Sequence, residues 1–72
     1  MPGPPEAGSR PLSDDEVRIL GLLAAGRSPE AIARELDISE RTLRRRLRHV
    51  CDVLDVRTSI EAVVWAVRRR LI

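Results

Sequence analysis

Apolar residues recur every three or four positions along most of the chain, which is the spacing of one face of an α-helix. The clearest series is Leu43, Leu47, Val50 and Leu54, whose steps of four, three and four residues describe a continuous helical face. No stretch of the sequence shows the alternating pattern that predicts a β-strand. The pattern therefore predicts an all-α fold with helices at about 14–25, 29–36, 40–54 and 59–70.

Residues that favour helix starts and stops support these boundaries. Ser13 and Thr58 are each followed three residues later by a glutamate, which is the pattern of a capping box. Ser28 and Ser39 are expected to cap the second and third helices, and Gly26 to end the first. Only two or three residues remain between the second and third helices. Two helices joined by so tight a turn predict a helix-turn-helix architecture.

The length of the chain restricts what it can do. A chain of 72 residues buries only about 60% of its unfolded surface, which argues against an enzyme with a deep pocket. The single cysteine, Cys51, cannot form an internal disulfide, and no Cys/His set has metal-ligand spacing. No apolar run approaches the length of a membrane span, and no signal peptide is evident. We therefore expect a cytoplasmic, non-enzymatic binding module without cofactor or metal.

Proline and charge divide the chain into unlike parts. The proline-rich segment 1–11 is expected to be a disordered tail or a linker, and 12–72 the folded domain. Residues 1–40 contain four arginines and eight acidic residues, whereas 41–72 contain nine arginines and three acidic residues. Such asymmetry indicates an anionic partner for the second half, although an arginine-rich composition can also reflect a GC-rich genome.

The arginines of the third helix would repel one another without such a partner. Arg41–Arg45 and Arg44–Arg48 are like-charge neighbours one helical turn apart, and each such pair costs roughly 0.2–0.5 kcal/mol. The one opposite-charge pair expected on this face is Arg48–Asp52. A phosphate backbone would relieve the repulsion, so we predict nucleic-acid binding over a merely solvated face. Because the chain has no Phe or Tyr on which bases could stack, duplex DNA is favoured over RNA or single strands.

A series of short motifs carries a family resemblance: L-S-D-D-E-V-R-I-L at 12–20, L-A-A-G-R-S at 23–28, I-A at 32–33, L-D-I-S-E-R-T-L at 36–43, V-L-D-V at 53–56 and E-A-V at 61–63. Together they resemble the LuxR-type (GerE-like) helix-turn-helix domain of bacterial transcription regulators. Sigma-factor region 4 domains share the first half of this pattern, and the part from Val53 onward favours the LuxR type.

The resemblance implies that helix 40–54 is the recognition helix, lying in the major groove of DNA. Three arginines fall where family members contact base edges: Arg44, Arg45 and Arg48. Backbone contacts are expected from four residues: Ser39, Arg41, Thr42 and Arg46. The fourth helix is commonly the dimer contact in this family, which would place two domains on an inverted repeat.

Two sets of residues are distinguished on the fourth helix. Four are predicted to face the core: Ala62, Val63, Ala66 and Val67. Three lie off that face and are expected to make a dimer or interdomain contact: Val64, Trp65 and Arg68. The alternative for the tryptophan is that it lies flat over the edge of its own domain.

The chain departs from the family pattern at five positions, where Glu, His, Lys, Gly and Gly are usual: Ala31, Arg46, Val53, Asp55 and Arg70. These departures affect the expected sequence preference rather than the fold. They also motivate an alternative function, an adaptor that kept the fold but binds an acidic protein. We expect either a domain cut from a longer regulator or a single-domain regulator. An N-terminal regulatory domain and RNA polymerase are further partners compatible with the resemblance.

Overall fold

The computed structural model describes residues 11–72, so nearly all of the expected tail at 1–11 lies outside the described residues. Within 11–72 the chain forms four helices and no strand, which confirms the all-α prediction. The helices are α1 (Asp14–Ala24), α2 (Pro29–Glu35), α3 (Glu40–Leu54) and α4 (Ser59–Arg68).

Every described helix begins at a hydroxyl side chain, as the sequence predicts. Each hydroxyl oxygen accepts a hydrogen bond from the backbone N–H three residues later, and the four caps are Ser13, Ser28, Ser39 and Thr58. Both predicted capping boxes are present, since the carboxylates of Glu16 and Glu61 accept the N–H groups of Ser13 and Thr58. A cap of this kind stabilises a helix by about 1 kcal/mol.

Every described helix is also followed, one or two residues after its end, by a residue with left-handed backbone. These residues are Gly26 (φ 88°), Asp37 (φ 59°), Asp55 (φ 57°) and Arg70 (φ 58°). In each case the N–H of this residue and the N–H of the next donate back to carbonyls of the last turn, the Schellman arrangement. These turns explain why α1, α2 and α4 end one or two residues before the predicted positions.

Two clusters of buried residues hold the helices together. The first, which we call the α2 cluster, contains Ile19, Ile32, Ala33 and Leu43. The second, the α4 cluster, contains Leu12, Leu20, Val50, Ala62 and Ala66. The predicted third helix therefore buries one residue in each cluster, and its Leu47 packs against both. α3 is held along most of its length, which leaves its opposite side to solvent.

The prediction that Val67 faces the core is wrong. Its exposed fraction is 51%, whereas Ala62 and Ala66 are fully buried. Val67 lies about 100° around the helix from Ala66. The buried face of α4 is centred on the two alanines, and Val67 falls outside it.

The left-handed turns lead to a stability prediction. Arg70→Gly should raise the free energy of unfolding by about 1 kcal/mol, because a non-glycine residue pays a steric penalty at positive φ. Gly26→Ala should lower it by a similar amount, since a Cβ there meets no atom within 4 Å and only backbone strain changes. Urea denaturation measures both, and Arg68→Gly, inside α4, is the control that should destabilise. If Arg68→Gly stabilised the protein as much as Arg70→Gly, the explanation from the left-handed backbone would be contradicted.

Candidate nucleic-acid interface

Three arginines form a line along the exposed side of α3. Arg41, Arg45 and Arg48 follow one another by four and three residues, which places them on one helical face. All three are exposed, and within residues 11–72 none of them forms an ion pair or a side-chain hydrogen bond. We call these three residues the arginine stripe. Its charges are available to a ligand without breaking any contact of the described residues.

Arg44 lies beside the stripe and has one weak partner. Its guanidinium is 3.8 Å from the carboxylate of Glu40 one turn earlier, and 77% of its side chain is exposed. The expectation that Arg48–Asp52 is the one opposite-charge pair of this helix is therefore wrong. Arg48 and Asp52 form no ion pair with each other, and their base-before-acid order is the less favourable one in a helix.

Ser39 and Thr42 lie together at the N-terminus of α3. The Ser39 hydroxyl accepts the Thr42 N–H at 3.0 Å and donates to the Thr42 hydroxyl at 3.0 Å. This arrangement occupies the Ser39 proton but leaves the Thr42 hydroxyl proton directed elsewhere. Thr42 can thus donate to an anion near the N-terminus of α3 while Ser39 keeps the helix capped.

Arg46 is separated from the other predicted DNA-contacting residues. Its guanidinium lies 3.9 Å from the Asp15 carboxylate of α1, and only 41% of its side chain is exposed. One turn further along, the His49 imidazole lies 3.7 Å from the Glu16 carboxylate. The flank of α3 that faces α1 therefore has acidic partners, which the arginine stripe lacks in the described part of the chain.

A groove between α3 and the following loop adds a residue that the sequence analysis missed. Arg44, Arg48 and Arg57 line this groove together with Thr58 and Ser59. Arg57 directly precedes the Thr58 cap. The sequence could have indicated it, because a loop arginine beside a predicted capping box lies at the start of the next helix. The groove extends the positive surface from α3 to the start of α4.

Two pKa shifts in this region have clear physical causes. Hydrogen bonds from the backbone N–H groups of Arg57 and Thr58 lower the pKa of Glu61 from its ordinary value of 4.5. Burial, followed by the nearby charges of Asp52 and Glu61, raises the pKa of the Cys51 thiol from 9.0. The thiol is therefore protonated at neutral pH and poorly suited to nucleophilic or redox chemistry.

One exposed face of α4 is apolar. Ile60, Val64 and Val67 are 72%, 43% and 51% exposed and follow one another by four and three residues. We call these residues the apolar stripe. Trp65, predicted with Val64 and Arg68 as a contact residue, is partly buried against the α4 cluster, and the Arg69 guanidinium lies 4.5 Å from its ring centre. Val64 and Arg68 are more exposed than the tryptophan, and all three side chains line one shallow surface depression.

A scan against family models matches residues 10–66 to "Bacterial regulatory proteins, luxR family". The chain belongs to the LuxR family. The sequence resemblance and the helix-turn-helix assignment are thereby confirmed. This is a family of DNA-binding transcription regulators, and α2 and α3 are its helix-turn-helix.

Curated relatives of this LuxR-family chain are all named as regulators. It is 35% identical over 60 residues to the nitrate/nitrite response regulator protein NarL of Escherichia coli (strain K12), covering 83% of the chain and 28% of NarL. It is 38% identical over 56 residues to the HTH-type transcriptional regulator MalT of Vibrio campbellii, covering 78% and 6%. It is 36% identical over 55 residues to the transcriptional regulatory protein DesR of Bacillus subtilis, covering 76% and 28%. The chain thus matches less than a third of each relative's length.

In the part of this LuxR-family chain that the structure describes, no helix has the length and apolar character needed to span a bilayer. Residues 11–72 also contain no group of three or more His, Cys, Asp or Glu residues placed to hold a metal ion.

The lowered pKa of Glu61 predicts an acid-sensitive contribution to stability. A carboxyl whose pKa is lower in the folded state stabilises the fold above its unfolded pKa, and this contribution disappears as the pH falls through the folded value. Glu61→Gln should therefore destabilise at pH 7, and its difference from the unmodified protein should shrink towards pH 3. Urea denaturation across this range measures the effect. Glu30→Gln is the control, because the Glu30 carboxylate accepts no backbone hydrogen bond among the described residues; a pH-independent difference for Glu61→Gln would contradict the prediction.

Proposed function

We propose that this chain binds duplex DNA in a sequence-specific way, with α3 in the major groove. The observation that carries the proposal is the arginine stripe, three exposed and unpaired cations on a helix whose other side is anchored in both clusters. Unpaired like charges on a fixed helix are unfavourable in isolation and become favourable against phosphates. The membership of the LuxR family supports the same conclusion.

The dimensions of α3 fit this partner. The stripe spans eight residues, and its seven steps cover about 10 Å along the helix axis, which matches about three base pairs of rise. An α-helix fits the major groove, where arginine can form two hydrogen bonds with guanine. We assign base contacts to Arg44, Arg45 and Arg48, each arginine–guanine pair discriminating by about 1–3 kcal/mol.

Backbone contacts are proposed for the two ends of this surface. Ser39, Arg41 and Thr42 lie at the N-terminus of α3, where phosphates are favoured by the helix dipole. Arg57 lies at the other side, in the groove beside Arg48. These contacts would fix the register of α3 without selecting a sequence.

Arg46 would contact the backbone only by changing partner. Its ion pair with Asp15 is long, at 3.9 Å, and the Asp15 carboxylate is 70% exposed. Exposed pairs of this kind contribute about 0–1 kcal/mol. A phosphate next to α1 could therefore replace Asp15 as the partner of Arg46 with little loss of stability. We keep Arg46 as a proposed backbone contact, and it is the one whose side chain must change partner on binding.

We further propose that two copies associate through the apolar stripe of α4. Three exposed aliphatic residues in a continuous line are the feature of this domain that favours a protein contact over a DNA contact. A two-fold contact between identical helices buries the same residues from both copies. It would place two α3 helices on the half-sites of an inverted repeat.

The DNA assignment predicts different effects for two arginines. Arg48→Ala should relax the preference at one base pair, whereas Arg41→Ala should weaken binding to all sequences alike. Fluorescence anisotropy on a selected site and on random duplex, at two salt concentrations, measures both. With about six phosphates neutralised, the slope of log K against log salt should be near −5.

Arg34→Ala is the matched control for these variants. Arg34 is an exposed arginine on α2 that is paired with Glu30 and lies away from the stripe, so its loss should leave both affinities almost unchanged. Equal losses on selected and random duplex for Arg48→Ala and Arg41→Ala would contradict the assignment of roles. A folded protein that binds no duplex DNA at low salt would instead support the adaptor function.

The dimer assignment predicts that Val64→Asp abolishes self-association. A carboxylate in the centre of the apolar stripe would be desolvated twice in a two-fold contact. Val53→Asp is the control, because Val53 has a similar exposed fraction, 40% against 43%, but lies on α3. Sedimentation velocity compares the self-association of both variants. An unmodified protein that stays monomeric and fills half-sites independently would contradict the proposal.

A further inference from the structure

The charge along the exposed face of α3 changes sign at Asp52. This residue follows Arg48 by four positions, so it continues the line of the arginine stripe by one more turn. Its side chain is exposed, as are those of Arg41, Arg45 and Arg48. A ligand lying along the stripe would therefore meet three cations and then an anion.

The Asp52 carboxylate is not neutralised by a neighbour. Within residues 11–72 it forms no ion pair or side-chain hydrogen bond, although Arg48 is one turn away. It also lies in the last turn of α3, which contains no basic residue and where the helix dipole disfavours an acidic one. No described contact gives this carboxylate a structural role.

Asp52 lies beside the cations that would draw in a phosphate. It lines the groove that also contains Arg44, Arg48 and Arg57. Arg48 and Asp52 are separated by about 6 Å along the helix axis. A phosphate attracted by Arg48 or Arg57 would therefore lie within a Debye length of an unneutralised carboxylate, where repulsion is only partly screened.

We propose that Asp52 repels the DNA backbone and thereby marks the C-terminal limit of the DNA-contacting part of α3. This inference rests on the proposed function, since it assumes that the arginine stripe faces DNA. The repulsion acts on phosphates and not on bases, so Asp52 lowers the affinity for every sequence by a similar factor. It leaves the order of preference among sites unchanged.

The test is the affinity of Asp52→Asn for random duplex and for a duplex selected by the unmodified protein. Asparagine removes the charge and keeps the shape of the side chain. At low salt the variant should bind both duplexes roughly three- to tenfold more tightly, as expected for removing one unit of like charge near several phosphates. The gain should shrink at higher salt, because the Debye length falls. Circular dichroism should show an unchanged helix content.

Asp55→Asn is the matched control. It makes the same change in net charge three residues further on, at a left-handed position that asparagine adopts readily, and Asp55 does not line the groove. We expect it to raise the affinity by a clearly smaller factor than Asp52→Asn, because its charge lies further from the groove and is screened more strongly.

The outcomes separate this inference from the function on which it rests. An equal gain for Asp55→Asn would show an effect of net charge alone and would overturn the inference. So would an unchanged affinity of Asp52→Asn, or a loss on the selected duplex only, which would make Asp52 a base contact. If the folded, unmodified protein binds neither duplex, the DNA proposal itself fails; if it binds and only the Asp52 effect is missing, the DNA proposal stands.

Discussion

Leu47 contacts both clusters of buried residues, and the direction in which the arginine stripe faces depends on that double contact. An isolated helix of this length is marginally stable in water, so α3 takes its stability from the apolar side chains behind it. Leu43 and Val50, on either side of Leu47, are fully buried in different clusters. Rotating α3 about its axis would expose all three side chains together. The buried apolar residues on the inner side of α3 thus determine which residues its outer side exposes.

The second constraint is the distribution of acidic residues around α3. Asp15 and Glu16 serve α1, where carboxylates in the first turn complement the helix dipole, and they also lie next to Arg46 and His49. Glu40 likewise lies next to Arg44. The charges of Arg44 and Arg46 on the flanks of α3 are therefore partly neutralised. The positive potential of the domain is concentrated along the central line of the helix.

The helices could be predicted from the sequence more accurately than the contacts that their side chains make. The starts of the helices were predictable because a serine or threonine cap acts within three residues, and α3 was predicted from Glu40 to Leu54. The predicted helix ends were less accurate, since left-handed positions such as Asp37 and Arg70 are not occupied by glycine, the residue that usually marks them. The pair of Glu40 and Arg44 follows the ordinary spacing rule and could have been found.

Contacts between helices were beyond that reasoning. The pairing of Arg46 with Asp15 joins residues about thirty positions apart and depends on how α1 crosses α3. The exposure of Val67 depends on which side of α4 packs against the other helices, and that side is centred on Ala62 and Ala66. Periodicity identifies an apolar face, but its width is set by the neighbouring helices. The same limit applies to Trp65, whose position beside Arg69 and the α4 cluster required the folded structure.

The connection between α2 and α3 contains no spare residue. Leu36 is the C-cap of α2, Asp37 takes the left-handed conformation, Ile38 returns an apolar side chain to the α2 cluster, and Ser39 is the N-cap of α3. Insertion or deletion of a single residue would remove one of these four roles. The angle between the two helices is therefore encoded locally, in four consecutive backbone conformations. Side chains on the outer face of α3 can diversify between related proteins while the helix that carries them keeps a constant orientation.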